Sequence, residues 1–564
     1  MEYVMAKKLT GAEFIAETLK SKGIDHVFYE ELAFYFTTKQ LAKYGIKNIL
    51  AHSEEAAGYM ADGYARTTNK TGVCMSQAIG SANLAASVHD AWLANTPVVA
   101  LTGFKPDSGF QKSGYQESDH RAHFSGVTKY NQQTVDEQQL PHLLRQCFRE
   151  ASTGKPRPVH LDVIGYAGEM AEKAEMRDEF VPEPEFGPFP AKRTGADLET
   201  IQKAAAMINE AKRPVIVAGR GAYFSDPEGR SLYKLATKGD IPVTTTPDGK
   251  TTIDETDPLW SGVVGGYGMD CANQTTTAAD LVIYIGSMIS DQTTLNFTAP
   301  SKDTQILQID IDGAELGKNY PKTYGVMGDA KTVMDQLEAV IEEKSRNEWR
   351  AKVKEFVAKD LARWDANAEQ GDGPIQTGFL CKTFSDMLPD DAIISADTGW
   401  SATWASCTFR TKPTQKFMRA GGSLGWGFPA AIGAKCGNPD KPVFAFVGDG
   451  AFYYHLSELE TAVRYGINVN VILNNNSHFN QCIPYVAEAY VGDEAGYEVY
   501  RNKVEFRPTN FAAVADAFGA KGFRVTDPKD LKETIEKAMA IDGPTVVEVI
   551  TYPTCSPVPA FIAE

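Results

Sequence analysis

The chain has 564 residues, of which 43% are hydrophobic, which is enough for a large core divided among several domains. Its 56 Lys and Arg against 73 Asp and Glu give a formal net charge of −17, which argues against nucleic acid or an anionic membrane as the main partner. The sequence has no apolar run of about 18 residues, so no membrane span is predicted. The eight cysteines are scattered without a C-x-x-C pair, which predicts reduced thiols in a cytoplasmic protein.

Strand-like and helical stretches alternate along the whole chain. This alternation predicts an α/β protein built from three doubly wound parallel-sheet domains. Two polar stretches, 169–194 and 342–374, interrupt the pattern. They divide the chain into blocks at about 1–170, 190–345 and 372–564, each of the size of one domain.

A helix in the first block is predicted to begin near Glu54, directly after the strand-like run Ile46–Ala51. Ala57, Met60 and Tyr64 follow at helical spacing. An acid in the first turn of a helix is usually a partner for the helix dipole, so the residues alone favour a structural role for Glu54.

The central block contains an incomplete nucleotide-binding fingerprint. A strand at 215–218 runs into Gly219-Arg220-Gly221, but position 224 is Phe where a third glycine would be required. A lone G-x-G after a strand is a weak signal. Further strands are predicted at Leu281–Ile285 and Ile306–Ile311.

The third block carries the most specific pattern. The apolar run Val443–Val447 ends in Gly448-Asp449-Gly450, and after a helical segment the run Val469–Leu473 ends in three asparagines, 474–476. A right-handed β-α-β unit places both strand ends at the same edge of the sheet. An acid and an amide oxygen there suit Mg2+, while the glycines and the helix N-terminus suit a diphosphate. A second Gly-Asp-Gly, 371–373, follows a polar run and is predicted to be a linker turn.

These features resemble the thiamine diphosphate (ThDP) enzymes of the acetolactate synthase/pyruvate oxidase-like family of decarboxylases and carboligases. The Gly-Asp-Gly, the helix and the asparagines match the family's metal–diphosphate motif, and the three blocks match its pyrimidine-binding, central and diphosphate-binding domains. The resemblance spans essentially the whole chain. It implies Mg2+ ligation by Asp449, Asn476 and the backbone carbonyl of His478, and cofactor contacts at Gly448, Gly450 and Ala451.

The same resemblance implies a catalytic acid in the first block. Alignment on Gly63-Tyr64-Ala65-Arg66 places the family's glutamate on Glu54, which would bond N1′ of the aminopyrimidine in a fairly dry pocket. Glu55 is interpreted as a neighbour of the catalyst. Gln116 resembles the glutamine of an F-Q-E motif that lies near the thiazolium in relatives.

A glycine-rich segment and one strand end are further candidates for cofactor contacts. The segment 421–429 resembles the family's G-x-Φ-G stretch, so Leu424 would be the apolar wedge under the cofactor and Gly422 would bind the pyrimidine edge. Thr398 and Ser401 follow a predicted strand at 392–396 and could donate to phosphate. Ordinary turn chemistry explains both residues nearly as well.

The first βα loop departs from the family pattern. Relatives usually have V-F-G-x-P/H-G, whereas Val27-Phe28 is followed here by Tyr29-Glu30-Glu31. Glu31 is predicted to point at the reaction centre, where it would repel a carboxylate substrate or act as a proton donor or base. A solvated loop is an equally supported interpretation.

The resemblance implies a ThDP- and Mg2+-dependent lyase or transferase. Such an enzyme cleaves or joins C–C bonds of a 2-oxo acid, aldehyde or diketone through a carbanion and enamine on the cofactor. A sulfoacetaldehyde acetyltransferase-like reaction or a cyclic 1,2-diketone hydrolase is the alternative. Remote alternatives are a noncatalytic ThDP-binding protein and a flavin or nicotinamide oxidoreductase. The stretch IPYVAEAYVGDEAGYE at 483–498 replaces a Trp-containing stretch of acetolactate synthases and argues against acetolactate synthesis proper.

The resemblance also implies an assembly. In the family the pyrimidine-binding domain of one subunit faces the diphosphate-binding domain of another, which predicts a homodimer or homotetramer with active sites between subunits. Some relatives bind FAD in the central domain, so FAD remains an open alternative for this chain.

Overall fold

Three six-stranded parallel sheets flanked by helices form the protein, which confirms the predicted α/β fold. The structure is a computed structural model that describes residues 8–105, 111–490, 497–553 and 555–557. The chain divides into two compact units. The first comprises Met1–Lys192, Ala420–Lys441 and His455–Val469, and the second comprises Arg193–Arg419, Pro442–Tyr454 and Asn470–Glu564.

The first sheet lies in the first unit and has the strand order β2-β1-β3-β4-β6-β5. Its strands are β1 (His26–Tyr29), β2 (Lys47–Leu50), β3 (Gly72–Ser76), β4 (Val98–Phe104), β5 (Tyr130–Gln133) and β6 (Val159–Ile164). The helices along this part of the chain are α1 (Gly11–Ser21), α2 (Tyr35–Lys43), α3 (Glu54–Thr68), α4 (Gly80–Leu93), α5 (His120–Phe124), α6 (Leu140–Ser152) and α7 (Glu169–Lys173). The helix predicted to begin near Glu54 is therefore confirmed as α3.

The second sheet has the order β12-β11-β10-β7-β8-β9 and lies in the second unit. Its strands are β7 (Pro214–Ala218), β8 (Val243–Thr245), β9 (Trp260–Val263), β10 (Leu281–Ile285), β11 (Gln305–Asp310) and β12 (Thr323–Met327). The accompanying helices are α8 (Leu198–Glu210), α9 (Arg220–Ser225), α10 (Arg230–Gly239), α11 (Asp270–Ala278), α12 (Ala330–Val340) and α13 (Asn347–Asn367).

The third sheet, also in the second unit, has the order β14-β13-β15-β16-β18-β17. Its strands are β13 (Ile393–Ala396), β14 (Lys416–Arg419), β15 (Val443–Gly448), β16 (Val469–Asn475), β17 (Lys521–Val525) and β18 (Thr545–Ile550). The helices along this part of the chain, of which α16 and α18 belong to the first unit, are α14 (Thr377–Met387), α15 (Trp400–Thr408), α16 (Gly427–Gly437), α17 (Asp449–His455), α18 (Glu458–Tyr465), α19 (Ile483–Ala489), α20 (Tyr497–Val504), α21 (Phe511–Ala517) and α22 (Leu531–Met539).

Helix α16 packs against α3 within the first unit, and glycines bring the two backbones together. A Cβ atom added to Gly63 would lie 2.0 Å from the carbonyl oxygen of Ala430, and one added to Gly433 would lie 1.8 Å from that of Met60. Larger residues at these positions would force the helices apart. The packing therefore fixes the helix that begins with Glu54 against the helix that follows the segment 421–425.

The Gly-Asp-Gly at 371–373 is an exposed bend, as predicted for a linker turn. All eight cysteines are free, and six are buried. Among the helices of the described residues, none combines the length and the hydropathy that crossing a bilayer requires. Residues 491–496 of the stretch that replaces the Trp-containing segment lie outside the described residues.

A buried ion pair lies in the segment between β8 and β9 and connects it to the end of α15 inside the second unit. Lys250 Nζ lies 2.6 Å from Glu255 Oε1 and donates to the carbonyl oxygens of Ser406 and Phe409 at 3.2 and 2.9 Å. Both charged side chains are fully buried. Burial lowers the pKa of Lys250, and the Glu255 charge opposes that shift.

We expect Lys250→Ala to lower the free energy of unfolding by roughly 3–5 kcal/mol, because it leaves the Glu255 charge buried without its partner. The matched control is Lys203→Ala, whose pair with Glu199 is largely exposed and should contribute at most about 1 kcal/mol. Urea unfolding followed by circular dichroism measures both values. Equal losses in the two variants would contradict the role given to the buried pair.

Candidate functional site

The predicted diphosphate half of the site lies at the carboxyl ends of three adjacent strands, β13, β15 and β16. Parallel strands end at the same edge, so their terminal residues share one side of the sheet. The sequence-predicted residues at these strand ends are Thr398 and Ser401 after β13, Gly448, Asp449, Gly450 and Ala451 at the end of β15, and Asn476 and His478 after β16.

Asp449 is the first residue of α17 and is only 3% exposed. Its Oδ1 accepts the backbone N–H of Gly450 at 2.8 Å, and the N–H groups of Ser477 and His478 also face the carboxyl group. Its Oδ2 is buried and has no hydrogen-bond partner among the residues that the structure describes. Burial raises the pKa of Asp449 to about 7. A buried carboxylate oxygen without a donor is an acceptor that a divalent cation would satisfy, so Asp449 fits the implied Mg2+.

The three asparagines at the end of β16 have different partners. Asn474 Oδ1 accepts from the Thr551 hydroxyl at 2.6 Å, and Asn475 Nδ2 donates to Glu548 Oε1 at 2.7 Å. Both side chains thus contact β18 or the residue after it. Asn476 Oδ1 instead accepts the His478 N–H at 3.0 Å, in the loop beyond the strand. An amide oxygen has two lone pairs, so this bond leaves one for a cation.

The glycines of this edge allow close approach to neighbouring side chains. A Cβ atom added to Gly448 would lie 3.4 Å from Ser401 Oγ, so the Ser401 hydroxyl lies at the end of β15. A Cβ atom added to Gly450 would lie 2.6 Å from the Phe479 ring. The Thr398 N–H bonds the Asp397 carboxylate at 2.8 Å within its own turn.

The candidate catalytic acid lies in the first unit. Glu54 is the first residue of α3, directly after the N-cap Ser53, and is 8% exposed. Its Oε2 accepts a hydrogen bond from Asn83 Nδ2 at 3.1 Å. A Cβ atom added to Gly80 would lie 2.3 Å from Glu54 Oε1, so a larger residue there would displace this carboxyl group.

The two acids of the first βα loop have different surroundings. Glu30 is half-buried and in hydrogen-bond contact with the Glu54 carboxyl group, whereas Glu31 is exposed. Burial, followed by the charge of Glu54, raises the pKa of Glu30 to about 7. The structure thus places Glu30 beside the candidate catalyst, and the catalytic role of Glu31 stays a prediction.

Gln116 lies close to the start of α4. Its Oε1 accepts the backbone N–H of Ile79, the residue before α4, at 3.3 Å. Its backbone φ is +57°, a left-handed conformation that side-chain-bearing residues adopt less readily than glycine. The structure therefore brings Gln116 to the helix start that also contacts Glu54 through Gly80 and Asn83.

Asp90 on α4 holds the glycine-rich segment that contains Gly422 and Leu424. Its Oδ1 accepts the Gly421 N–H at 2.8 Å, and its Oδ2 accepts the N–H groups of Gly422 and Ser423 at 3.0 and 2.9 Å. Arg66 Nη2 lies 3.1 Å from the same carboxylate and also pairs with Asp62. The buried carboxylate therefore fixes the backbone just before Leu424, which is itself half-buried.

We expect Asp90→Asn to speed hydrogen exchange of the amides at 421–423 by about tenfold or more. One oxygen would remain for three N–H groups, and a hydrogen bond to a charged acceptor is worth about 1.5–3 kcal/mol. Exchange is measured by mass spectrometry of peptides that cover this segment. The control is Asp119→Asn, which changes an exposed N-cap of α5. Unchanged exchange in Asp90→Asn would contradict the assignment.

The central G-x-G turn has a packing role. The N–H groups of Gly219 and Gly221 donate to the carbonyl oxygens of Ile285 and Gly286, each at 2.9 Å. A Cβ atom added to Gly219 would lie 2.4 Å from the Gly286 oxygen. The glycines thus let the loops after β7 and β10 touch, which explains them without a nucleotide.

Asn83 and Asp90 were not singled out by the sequence, and Glu30 was noted only as one of the two acids of the first βα loop. The sequence contained one indication that Asp90 is buried: it interrupts the apolar face of α4 between Val88 and Ala91. An acid at such a position must have partners, since burying it alone is costly. Nothing local distinguished Glu30 from Glu31.

Comparisons with known proteins show which family the sequence resembles. Family models of thiamine pyrophosphate enzymes match residues 9–124 (N-terminal TPP binding domain), 201–337 (central domain) and 397–549 (C-terminal TPP binding domain). A probable acetolactate synthase large subunit of Methanocaldococcus jannaschii is 32% identical over 97% of this chain and 92% of its own length. The acetolactate synthase isozyme 1 large subunit of Escherichia coli is 30% identical over 96% of this chain and 94% of its own length. The acetolactate synthase large subunit of Corynebacterium glutamicum is 31% identical over 96% of this chain and 87% of its own length. The chain therefore belongs to the thiamine diphosphate-dependent enzymes of the acetolactate synthase/pyruvate oxidase-like family.

Proposed function

We propose that this enzyme uses ThDP and Mg2+ to cleave or form a C–C bond of a 2-oxo acid, an aldehyde or a diketone. The observation that carries the proposal is Asp449 Oδ2, which is buried beside the loop of Asn476 and His478 and has no hydrogen-bond partner within the described part of the chain. Such an oxygen suits a divalent cation, and a ThDP enzyme uses one at the diphosphate. When bound, ThDP supplies an electron sink for the electrons of the broken bond.

The residues of this chain would have separate roles in binding the metal, the diphosphate and the pyrimidine. Asp449, Asn476 and the His478 carbonyl would bind Mg2+, and Ser401 with the backbone at Gly448, Gly450 and Ala451 would hold the diphosphate. Leu424 and Gly422 would contact the pyrimidine, on a backbone that Asp90 keeps in place. Glu54 would hold a proton at its carboxyl group for the ring nitrogen, and Gln116 would face the substrate.

The three blocks 1–170, 190–345 and 372–564 are proposed as the pyrimidine-binding, central and diphosphate-binding domains. We also propose at least a homodimer, or a homotetramer, in which Glu54 of one subunit serves the diphosphate site of another. The family organisation supports both points. FAD stays an alternative for the central domain, and flavin absorbance of the purified protein tests it. A cytoplasmic location stays a prediction.

The experiment that tests the function is a product screen. The purified enzyme with ThDP and Mg2+ is supplied with a panel of 2-oxo acids, aldehydes and diketones, and carbon products are followed by NMR. We expect at least one turnover that requires both ThDP and Mg2+. No ThDP-dependent product from any class would favour a noncatalytic ThDP-binding protein.

A second candidate is favoured by the acids of the first βα loop. Glu30 and Glu31 put two acids into a loop where the family pattern V-F-G-x-P/H-G has none, and negative charge there would repel a carboxylate substrate. This favours an uncharged donor, as in cyclic 1,2-diketone hydrolysis, over pyruvate. A sulfoacetaldehyde acetyltransferase-like reaction remains in the same group of alternatives, and the relative turnover of diketones and 2-oxo acids separates these candidates.

A further inference from the structure

Glu30 and Glu54 form a close carboxyl pair at the start of α3. Glu30 follows β1, accepts the backbone N–H of Glu31 and contacts the carboxyl group of Glu54. Glu54 is held from the other side, because Asn83 Nδ2 donates to its Oε2 and Gly80 closes against its Oε1. The pair is thus fixed by the packing of α3 and α4, and neither carboxyl group is simply a solvated loop acid.

Two carboxyl groups in contact share a proton. Both cannot be ionised cheaply at such a separation, so one proton is retained between them to a higher pH than either group alone would hold it. Among the described residues, the charged groups that act on Glu30 are Glu54 on α3 and Glu31 on its own loop, and both are acids. Consistent with this arrangement, the pKa of Glu30 is raised to about 7, first by burial and then by the Glu54 charge.

We propose that Glu30 is a positioning residue that acts through Glu54: the two carboxyl groups hold one proton in common, and Glu30 yields it to Glu54 when the cofactor ring nitrogen arrives. This inference rests on the proposed function. With ThDP bound, the proton would reside on Glu54 and Glu30 would be the carboxylate. The pair carries one negative charge before and after, so no solvent proton is needed while the shared proton is present.

The pair makes ThDP binding depend on pH in a defined way. Below about pH 7 the pair already holds its proton, so binding takes up almost none. Above that pH the free pair is doubly ionised and must take up one proton, so the affinity should fall by about tenfold between pH 7 and 8.5. In Glu30→Gln the amide cannot titrate, so the proton uptake should not change between pH 6 and 8.5.

The test is isothermal titration calorimetry of the full-length protein with ThDP at saturating Mg2+, in buffers of different ionisation enthalpy. Wild type and the matched control Glu31→Gln should show uptake that rises from near zero at pH 6 towards one proton at pH 8.5. Saturating Mg2+ makes the contribution of Asp449 the same in all variants. The same rise in Glu30→Gln would overturn the proposal.

A second measurement does not need the cofactor. The cofactor-free protein is titrated between pH 6 and 8.5 and followed by infrared spectroscopy. Over this range Glu31→Gln should lose one more protonated carboxyl group than Glu30→Gln, because only Glu31→Gln keeps the pair. Equal signals would overturn the pair. If ThDP fails to bind while the infrared difference is present, the proposed function fails and the carboxyl pair stands.

Discussion

Glu54→Gln is expected to slow hydrogen–deuterium exchange at C2 of bound ThDP by about 10²–10⁴-fold, the usual worth of a positioned acid–base group. The amide fills the same space between Asn83 and Gly80, but it cannot hold the proton that the carboxyl group shares. NMR of acid-quenched samples measures the exchange rate of the cofactor. The effect should appear with every substrate, since it concerns the cofactor alone.

The matched control for this prediction is Glu55→Gln on the same helix. Glu55 accepts from the Tyr59 hydroxyl at 2.8 Å and has no contact with Asn83 among the hydrogen bonds of the described residues. Its substitution should leave the exchange rate within a few-fold of wild type. Circular dichroism confirms that both variants keep the fold. An unchanged rate in Glu54→Gln would refute Glu54 as the activating acid.

Asp449→Ala is expected to weaken ThDP retention at low Mg2+ by at least roughly 100-fold, because even the partners of metal ligands are worth about 10–100-fold. The substitution removes Oδ2, the buried oxygen that would bind the cation. Retention is measured by gel filtration and cofactor assay across a Mg2+ series. The control is Asp372→Ala in the second Gly-Asp-Gly, where the acid is exposed. Metal-independent retention in wild type would contradict the metal role of Asp449.

The raised pKa of Asp449 gives this prediction a pH dependence. Burial raises the pKa to about 7 in the metal-free protein, above the ordinary 3.8, so ionisation costs stability increasingly from about pH 4 to 7. Mg2+ must displace the proton below pH 7, so its affinity should increase from pH 5.5 to 7.5. Thermal unfolding with and without Mg2+ should therefore show the larger metal stabilisation at the higher pH.

Local sequence patterns were sufficient to predict where two strands of the third sheet end. The apolar run before Gly448 and the one before Asn474 became β15 and β16, because short apolar runs followed by glycine or amide residues form buried parallel strands. The same reasoning placed Glu54 at a helix start and excluded the Gly-Asp-Gly at 371–373 as a metal–diphosphate motif. The resemblance then supplied the chemistry that residue spacing alone could not supply.

The sequence by itself determined the α/β architecture, the strand ends that carry Asp449 and Asn476, and the helix that begins at Glu54, because hydrophobic period and turn residues act over a few positions. Only the tertiary structure decided that Glu30 and not Glu31 contacts Glu54, that Asp90 holds the backbone at 421–423, and that Asn474 and Asn475 are used by the neighbouring strand. These outcomes depend on partners up to hundreds of residues away in the chain. Burial by those partners, rather than any local pattern, also sets the pKa of Glu30 and of Asp449.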